Sequence, residues 1–304
     1  MAISRTQLVK ELEPGLNALF GLEYKRYENQ HAEIYVTESS DRAFEEEVML
    51  SGFANAQVKA EGSGVSFDTA QETYSARYTH DTVALAFAIT EEAIEDNLYD
   101  RLASRYTKAL ARSMSNAKQV KAAKPLNDGL PSVDNFDSGD GVSLFNTAHT
   151  TVSGTNVKNT LTTQADLNET SLEQALIDIA AMTDERGLRV AARAMKMIIP
   201  SANQFTAERL MKSQGRVGTA DNDINAVVSM GMVPQGYRVN NFLTDTDSWY
   251  IITDVPNGMK MFQRAALKTA MEGDFDTGNV RYKARERYSF GVSDYRGIFG
   301  CEGA

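Results

Sequence analysis

The feature that most constrains this chain is a long alternating run that passes directly into a long helical pattern. Tyr74, Ala76 and Tyr78 share one face, and the run continues through Val83, Leu85, Phe87 and Ile89 set against Ala84, Ala86 and Ala88. A period of two is a strand signal. Read as one strand from Tyr74 to Ile89, the run extends ~50 Å at ~3.3 Å per residue. Upstream, Gln57 to Glu61 and Val65 to Asp68 flank Gly62-Ser63-Gly64, so residues 44–82 read as a long β-hairpin with a glycine tip. A two-stranded ribbon is marginal in water. One this long and polar needs another surface to rest on, and a neighbouring copy of the chain is the simplest candidate.

The helical pattern begins at Thr90, an N-cap type, with Glu91, Glu92 and Glu95 in the first turns. It continues to Lys124, where Pro125 is expected to stop it, and Lys118, Lys121 and Lys124 near its end suit the helix dipole. At ~1.5 Å per residue the helix is ~50 Å long. Its apolar stripe reads Ile94, Leu98, Leu102, Tyr106, Ala109 or Leu110, Met114, Ala117 and Val120, which is narrow enough for cover on one side only. A long helix on a thin sheet makes a flat body with too little core to stand alone.

The remainder follows from turns and periodicity. Residues 1–43 form an N-terminal arm, with one or two short helices between Thr6 and Tyr27 around Pro14-Gly15, then a polar extended stretch. Residues 127–141 read as a loop. Beyond it come helices at Asp166–Arg186 and Asn203–Ser213, and strands at Met195–Ile199, Asn225–Met230 and Trp249–Thr253. Residues 131–269 thus form a compact α/β unit, 83–130 with about 270–293 the unit built on the long helix, and 294–304 the end. From Val280 to Val292, Val280, Tyr282, Ala284, Glu286, Tyr288, Phe290 and Val292 face one way, while Arg281, Lys283, Arg285 and Arg287 face the other. Four like charges on one face repel, so they want anions opposite.

Composition narrows the function. The chain has 304 residues with 31 Lys and Arg against 41 Asp and Glu, a net charge of −10. Such a chain repels phosphate, which argues against sequence-specific nucleic-acid recognition while leaving local basic patches possible. A single cysteine, Cys301, makes no disulfide framework or metal-type spacing. The opening residues lack a signal-peptide pattern, and Val83 to Ile89 is too short to span a bilayer. Catalytic groupings are equally scarce. His31, His80 and His149 are scattered, and no zinc-binding, phosphate-loop or dinucleotide pattern occurs. His80-Asp81 reads as an exposed pair. A hydrolase built on His149 with Ser143 is the alternative of another class, without a nucleophile elbow or a third member. No catalytic residue, metal or cofactor is expected.

The order of parts resembles the major capsid protein of tailed bacteriophages, the Hong Kong 97-type fold also used by encapsulin shells. Locally, Leu144-Phe145-Asn146-Thr147-Ala148-His149, followed by Gly154, Asn156, Asn159 and Leu161, is similar to a stretch of phage head subunits, the Mu-like group included. The tail from Tyr282 to Val292, with Asp294-Tyr295-Arg296-Gly297, is similar to their ends. The resemblance implies an α+β subunit with an N-terminal arm, an extended hairpin loop, a peripheral domain carrying the spine helix (residues 90–124) and an axial α/β domain. It implies hexamers and pentamers closing an icosahedral shell around double-stranded DNA. The partners implied are a scaffold protein, separate because the arm from Met1 is short, a portal and a decoration protein, with assembly in the host cytoplasm and no membrane. The residues expected at subunit interfaces are Lys59, Glu61, Phe67, Tyr74, Arg77 and Tyr78 on the hairpin, and Arg281, Lys283, Arg285 and Arg287 on the basic strand. An encapsulin-type compartment of the same fold is the nearer alternative.

Overall fold

The computed structural model describes residues 5–90, 92–93, 99–215, 223–274 and 278–304. In chain order the elements are α1 (Arg5–Arg26), β1 (Val36–Ser39), β2 (Phe44–Leu50), β3 (Glu72–Thr79), β4 (Asp81–Ile89), α2 (Tyr99–Asp128), β5 (His149–Thr150), β6 (Asn156–Val157), α3 (Glu169–Ala181), β7 (Ala194–Ile199), α4 (Gln204–Lys212), α5 (Ala226–Ser229), β8 (Tyr237–Val239), β9 (Trp249–Thr253), β10 (Met259–Gly273), β11 (Val280–Val292) and β12 (Ile298–Cys301). The strands form two four-stranded sheets, β1-β10-β11-β4 and β12-β9-β7-β8, and two two-stranded ribbons, β2-β3 and β5-β6.

The first sheet carries the two long helices on one face. Tyr282 and Ala284 of β11 and Ile89 of β4 pack with Leu110, Ala111 and Met114 of α2 and with Leu16 and Phe20 of α1. The buried stripe of α2 runs through Ala103, Thr107, Leu110, Ala111, Met114, Ser115, Lys118, Gln119, Ala122, Ala123 and Leu126. It lies a step round from the stripe read in the sequence: Tyr106 and Val120 are half exposed. Ile94 and Leu98 of that stripe lie outside the described residues. Apolar content misled because four of the buried positions are polar, and two of them, Lys118 and Gln119, find partners on other elements. Lys118 meets Glu286 at 3.3 Å, with their side chains 10% and 1% exposed, and Gln119 bonds the backbone and ring of His31. Burial raises the Glu286 carboxyl above its usual range, Lys118 opposing.

Three further expectations change. The run from Tyr74 to Ile89 is two strands in different sheets: β3 pairs with β2, and β4 pairs with β11. Pro125 does not end α2, which continues to Asp128 because Leu126 and Leu130 are drawn into the core. Upstream, Thr90 Oγ1 accepts from the Ala93 N–H at 3.4 Å, while residues 94–98, between this turn and α2, lie outside the described residues. The arm holds one helix through Pro14, whose ring is exposed, so the missing donor falls on the solvent side.

In the second half, α3 begins in a capping box between Asn168 and Ser171 and stops at Ala181, short of Arg186. The segment read as a strand at Asn225–Met230 is the short helix α5. Buried Asn225 accepts from the Val227 and Val228 N–H groups and donates to Leu210 O, which fixes a helical turn in an apolar run. Strand β10 was not legible at all. Register shifts between Gln263 and Lys268 break its alternation. It starts inside the segment assigned from sequence to the α/β unit, yet pairs with β11, while β12 from the chain's end pairs with β9.

Burial and the nearby Lys118 push the His31 imidazole down to about 4, the Gln119 contact opposing. The neutral ring fits the fold, so its contribution is full above the unfolded value near 6.5 and is lost as pH falls from there towards 4. Urea unfolding of the wild type is expected to weaken across that window by up to about 3 kcal/mol. His31→Gln should flatten the slope. An unchanged slope in the variant would show that His31 does not titrate in the fold.

Candidate assembly surfaces

The hairpin β2-β3 leaves the body through a tightly held root. Tyr78, 2% exposed, lies over Gly291, where a Cβ would sit 2.5 Å from its ring, and meets the Phe262 ring at 4.8 Å. Its hydroxyl bonds Ser293 Oγ at 2.5 Å. On the next strand Glu47 bonds Ser293 and pairs with Lys260 at 2.5 Å, and Glu38 of β1 meets the same ammonium at 3.2 Å. Burial opposes the charge on Lys260, but the two carboxylates outweigh it and hold its pKa above the usual range. His80, at the break between β3 and β4, is buried rather than exposed, its ring between Ser289 at 2.9 Å and Ser40 at 3.0 Å. Asp81 instead pairs with Lys121 at 2.7 Å.

Beyond Ser51 the hairpin has no regular structure until Glu72, so the strands expected at 57–61 and 65–68 are an irregular loop. Val58 is 100% and Phe67 98% exposed, with Val65 and Phe53 mostly so. Burying each such side chain stabilises by ~1.5–3 kcal/mol, and an apolar protrusion of this kind marks an interaction surface. Of the hairpin residues singled out in the sequence, Lys59, Glu61 and Phe67 are on this tip and exposed. Arg77 is at the base, stacked over Phe44 at 4.1 Å and 3.6 Å from Glu46. Tyr74 and Tyr78 are engaged by their own chain, Tyr74 against Tyr295 and Gly139.

The second surface is the face of the β10-β11-β4 sheet turned away from the helices. Arg281, Lys283 and Arg285 of β11 are exposed there, and Arg287 is half-buried. In register beside them stand Ala84, Ala86 and Ala88 of β4, and Lys268, Ala270 and Glu272 of β10. Arg281 pairs with Asp274. Lys268, Lys283 and Arg285 have no ion-pair partner among the described residues. The result is a flat, alanine-floored basic face. Opposite it in charge is the hairpin, where residues 44–79 carry Glu45, Glu46, Glu47, Glu61, Asp68 and Glu72 against Lys59 and Arg77.

The motif around His149 is a structural clamp. His149 is fully buried and stacks on Tyr295 at 3.8 Å, with Nδ1 2.6 Å from Asp140 and Nε2 3.1 Å from Asn159 Oδ1. Burial works against the Asp140 charge, but hydrogen bonds from His149 and Ser138 hold its carboxyl below the usual range. Asn159 Nδ2 donates to Leu144 O and Tyr295 O, and Phe145 fills the space that a Cβ at Gly300 would take. Ser143 bonds Phe145 O and Asn146, not His149, so the residues of the hydrolase alternative are not brought together. Sequence reasoning missed the neighbouring buried group: Arg296, 3% exposed, held by Glu185 at 2.5 Å, Asp294 at 3.2 Å and Thr183 O. Its only sequence signal was membership of the tail motif. No group of metal-ligating side chains occurs among the described residues, and no described helix is long and apolar enough to cross a membrane.

Against known proteins, a family model described as phage capsid protein matches residues 73–300. The chain belongs to the phage capsid protein family. The capsid protein is similar in fold to the virus-like particle from Pyrococcus furiosus, at 9% identity and TM-score 0.52 over 94% of this chain and 98% of that one. It is similar to the capsid of Myoviridae phage XM1 at 12% identity and TM-score 0.51, over 89% and 90% of the two chains. It is similar to Mycobacterium phage Adephagia at 11% and 0.51, over 91% of each. No curated protein sequence matches it. These likenesses bear out the α+β capsid fold of the Hong Kong 97 type, and the family model carries the capsid function. The resemblance to the archaeal particle, in fold alone, gives the encapsulin alternative no advantage. The narrower likeness to the Mu-like group rests on the sequence motif.

The root of the hairpin yields a test. Glu47→Gln leaves Lys260 with only the more exposed Glu38 and removes a charge-assisted bond, a cost on the order of 1–3 kcal/mol. Hydrogen exchange of β2 and β3 and proteolysis within 51–71 should accelerate, with α2 unchanged. Equal protection in the variant would mean that the aromatic packing of Tyr78 alone sets the hairpin.

Proposed function

We propose that the chain is the major capsid subunit of a tailed phage, assembling with its copies as hexamers and pentamers into an icosahedral shell around double-stranded DNA. The observation that carries this reading is the family match across residues 73–300, joined to a subunit that exposes Val58, Val65 and Phe67 on its hairpin tip and Lys268, Lys283 and Arg285 on a flat sheet face. In this reading the hairpin of one copy seats on the β10-β11-β4 face of the next. Phe67, Val58 and Val65 lose water, and the hairpin carboxylates neutralise Lys268, Lys283 and Arg285. The contact is heterologous, head to tail, and closes into a ring when the rotation per copy allows. Lys59, Glu61, Phe67, Arg77, Arg281, Lys283, Arg285 and Arg287 belong to it, while Tyr74 and Tyr78 act indirectly by fixing the hairpin's direction.

The unit built on α2 and the first sheet is the peripheral domain of this reading, with α2 as its spine, and the unit around the β12-β9-β7-β8 sheet is the axial domain at the five-fold and six-fold axes. Assembly takes place in the host cytoplasm on a scaffold protein, with a portal and decoration proteins as further partners. No catalysis is assigned to the chain.

Electron microscopy of the expressed subunit tests the contact. Replacing Lys59 to Phe67 by a short Gly-Ser link should leave the unfolding midpoint within a few degrees of wild type and abolish closed shells. Arg285→Glu should reduce shell yield several-fold at low salt in the absence of DNA. Wild-type yields of closed shells from both variants would remove the hairpin-on-sheet contact from the reading.

A further inference from the structure

The long helix carries a charge pattern that neither the core nor the hairpin contact uses. In a chain with 31 cations and 41 carboxylates, α2 holds seven Lys and Arg against two Asp. Its C-terminal cations are engaged within the subunit: Lys118 with Glu286, Lys121 with Asp81 and Lys124 with Asp128. Arg105, Lys108 and Arg112 are different. They sit at i, i+3 and i+7, so they line one face of the helix, and all three are exposed. Arg105 and Lys108 have no ion-pair partner among the described residues. Arg112 bonds Tyr27 Oη at 2.7 Å and is 3.9 Å from Glu23, and the same carboxylate lies 3.7 Å from Arg26 of α1. One carboxylate is thus shared by two guanidinium groups, and the patch keeps an excess of positive charge.

We propose that this outer face of α2, formed by Arg105, Lys108 and Arg112 with Arg26 beside them, is the surface through which the shell contacts the phosphates of the enclosed DNA. The proposal rests on the capsid reading above, in which the opposite face of the same layer is covered by a neighbour's hairpin. The layer is one sheet and one tier of helices thick, so covering the sheet face leaves the helix face free. Between Arg105 and Arg112 the helix rises ~10 Å. One strand of DNA presents a phosphate about every 3.4 Å along its axis, so three cations over that length match about three phosphates. The exposed residue between Lys108 and Arg112 on this face, Ala109, is small. This gives a smooth convex ridge that approaches a duplex backbone and offers no groove to a protein helix. No base-reading geometry is present, which suits contact without sequence preference.

The test measures binding of a fluorescently labelled 20-base-pair duplex to the purified subunit by anisotropy between 50 and 200 mM KCl, with shell assembly followed separately by electron microscopy. Arg105→Gln with Lys108→Gln is the primary variant, because neither side chain has an ion-pair partner among the described residues. Adding Arg112→Gln completes the set. Each phosphate contact removed lowers the slope of log affinity against log salt by about 0.9, so the double variant should lose about 2 and the triple nearly 3. At the lowest salt the affinity should fall at least about tenfold, with shells still forming. A matched sheet-face set, Lys268→Gln, Lys283→Gln and Arg285→Gln, should keep the DNA slope and lose assembly. An unchanged slope in the helix variants, or a slope lost only in the sheet-face set, overturns the proposal. Lost assembly with intact DNA binding in the helix variants also overturns it and assigns the ridge to a protein partner. Assembly of the sheet-face set bears on the hairpin contact and leaves the DNA proposal untouched.

Discussion

The subunit depends on the way α2 crosses β11. A helix this long has one buried stripe. On the far side of the sheet Tyr78 of the hairpin root covers Gly291 and Phe262, while Arg281, Lys283 and Arg285 are exposed. What holds helix and sheet together is largely small residues, Ala103, Ala111, Ala122 and Ala123, which let the helix approach closely, and aromatic side chains from the strand, Tyr282 and Tyr288. Across the middle lies the buried pair Lys118 and Glu286. Such a pair gains little net stability, because desolvation offsets most of the attraction. It does penalise any slip, since a one-turn shift would bury both charges unpaired. The pair therefore acts on register more than on stability, and β11 in turn sets the positions of β4, β10 and everything paired to them.

The hairpin is governed by the same strand from the other end. Gly291 admits the Tyr78 ring, Ser293 bonds both Tyr78 and Glu47, and Lys260 on β10 closes the contact. A two-stranded ribbon could not hold its own direction in water. With its root clamped, and with Arg186 donating to Thr69 O in the loop, the hairpin presents Val58, Val65 and Phe67 to solvent. A chain that spends its apolar residues this way gains from them only on meeting another surface. In the proposed contact the basic face beside β11 is the matching half: three cations on a floor of alanines lose their repulsion when anions arrive. Self-assembly is thus written into two surfaces that are each unfavourable in isolation.

Charge is also segregated within the subunit. The chain is acidic as a whole, yet both faces of its thinnest layer are basic. Net charge alone gave the impression of a protein that avoids phosphate. Local segregation reverses this where the helix is exposed, because screening limits each charge's influence to about 8–10 Å at physiological salt. The distant carboxylates are then of little consequence to a polyanion lying against α2.

The sequence by itself determined the inventory: a protruding hairpin, a long helix, a compact α/β half, and a strand with one apolar and one basic face. These were legible because periodicity, capping and turn chemistry are local. It also held a clue to the break at His80, since the larger residues occupy even positions through Tyr78 and odd ones from Val83, although a single strand was the simpler reading. Only the tertiary structure decided which polar residues are buried. His80, His149, Lys118, Glu286 and Arg296 are inside because a partner distant in sequence meets each of them, and no local pattern encodes that meeting. The same holds for β10, whose irregular register makes sense only beside β11, and for Tyr74 and Tyr78, which face their own core. Secondary structure follows from neighbours along the chain. The burial of a polar group follows from what the fold brings opposite it, and that is settled only when the whole chain is packed.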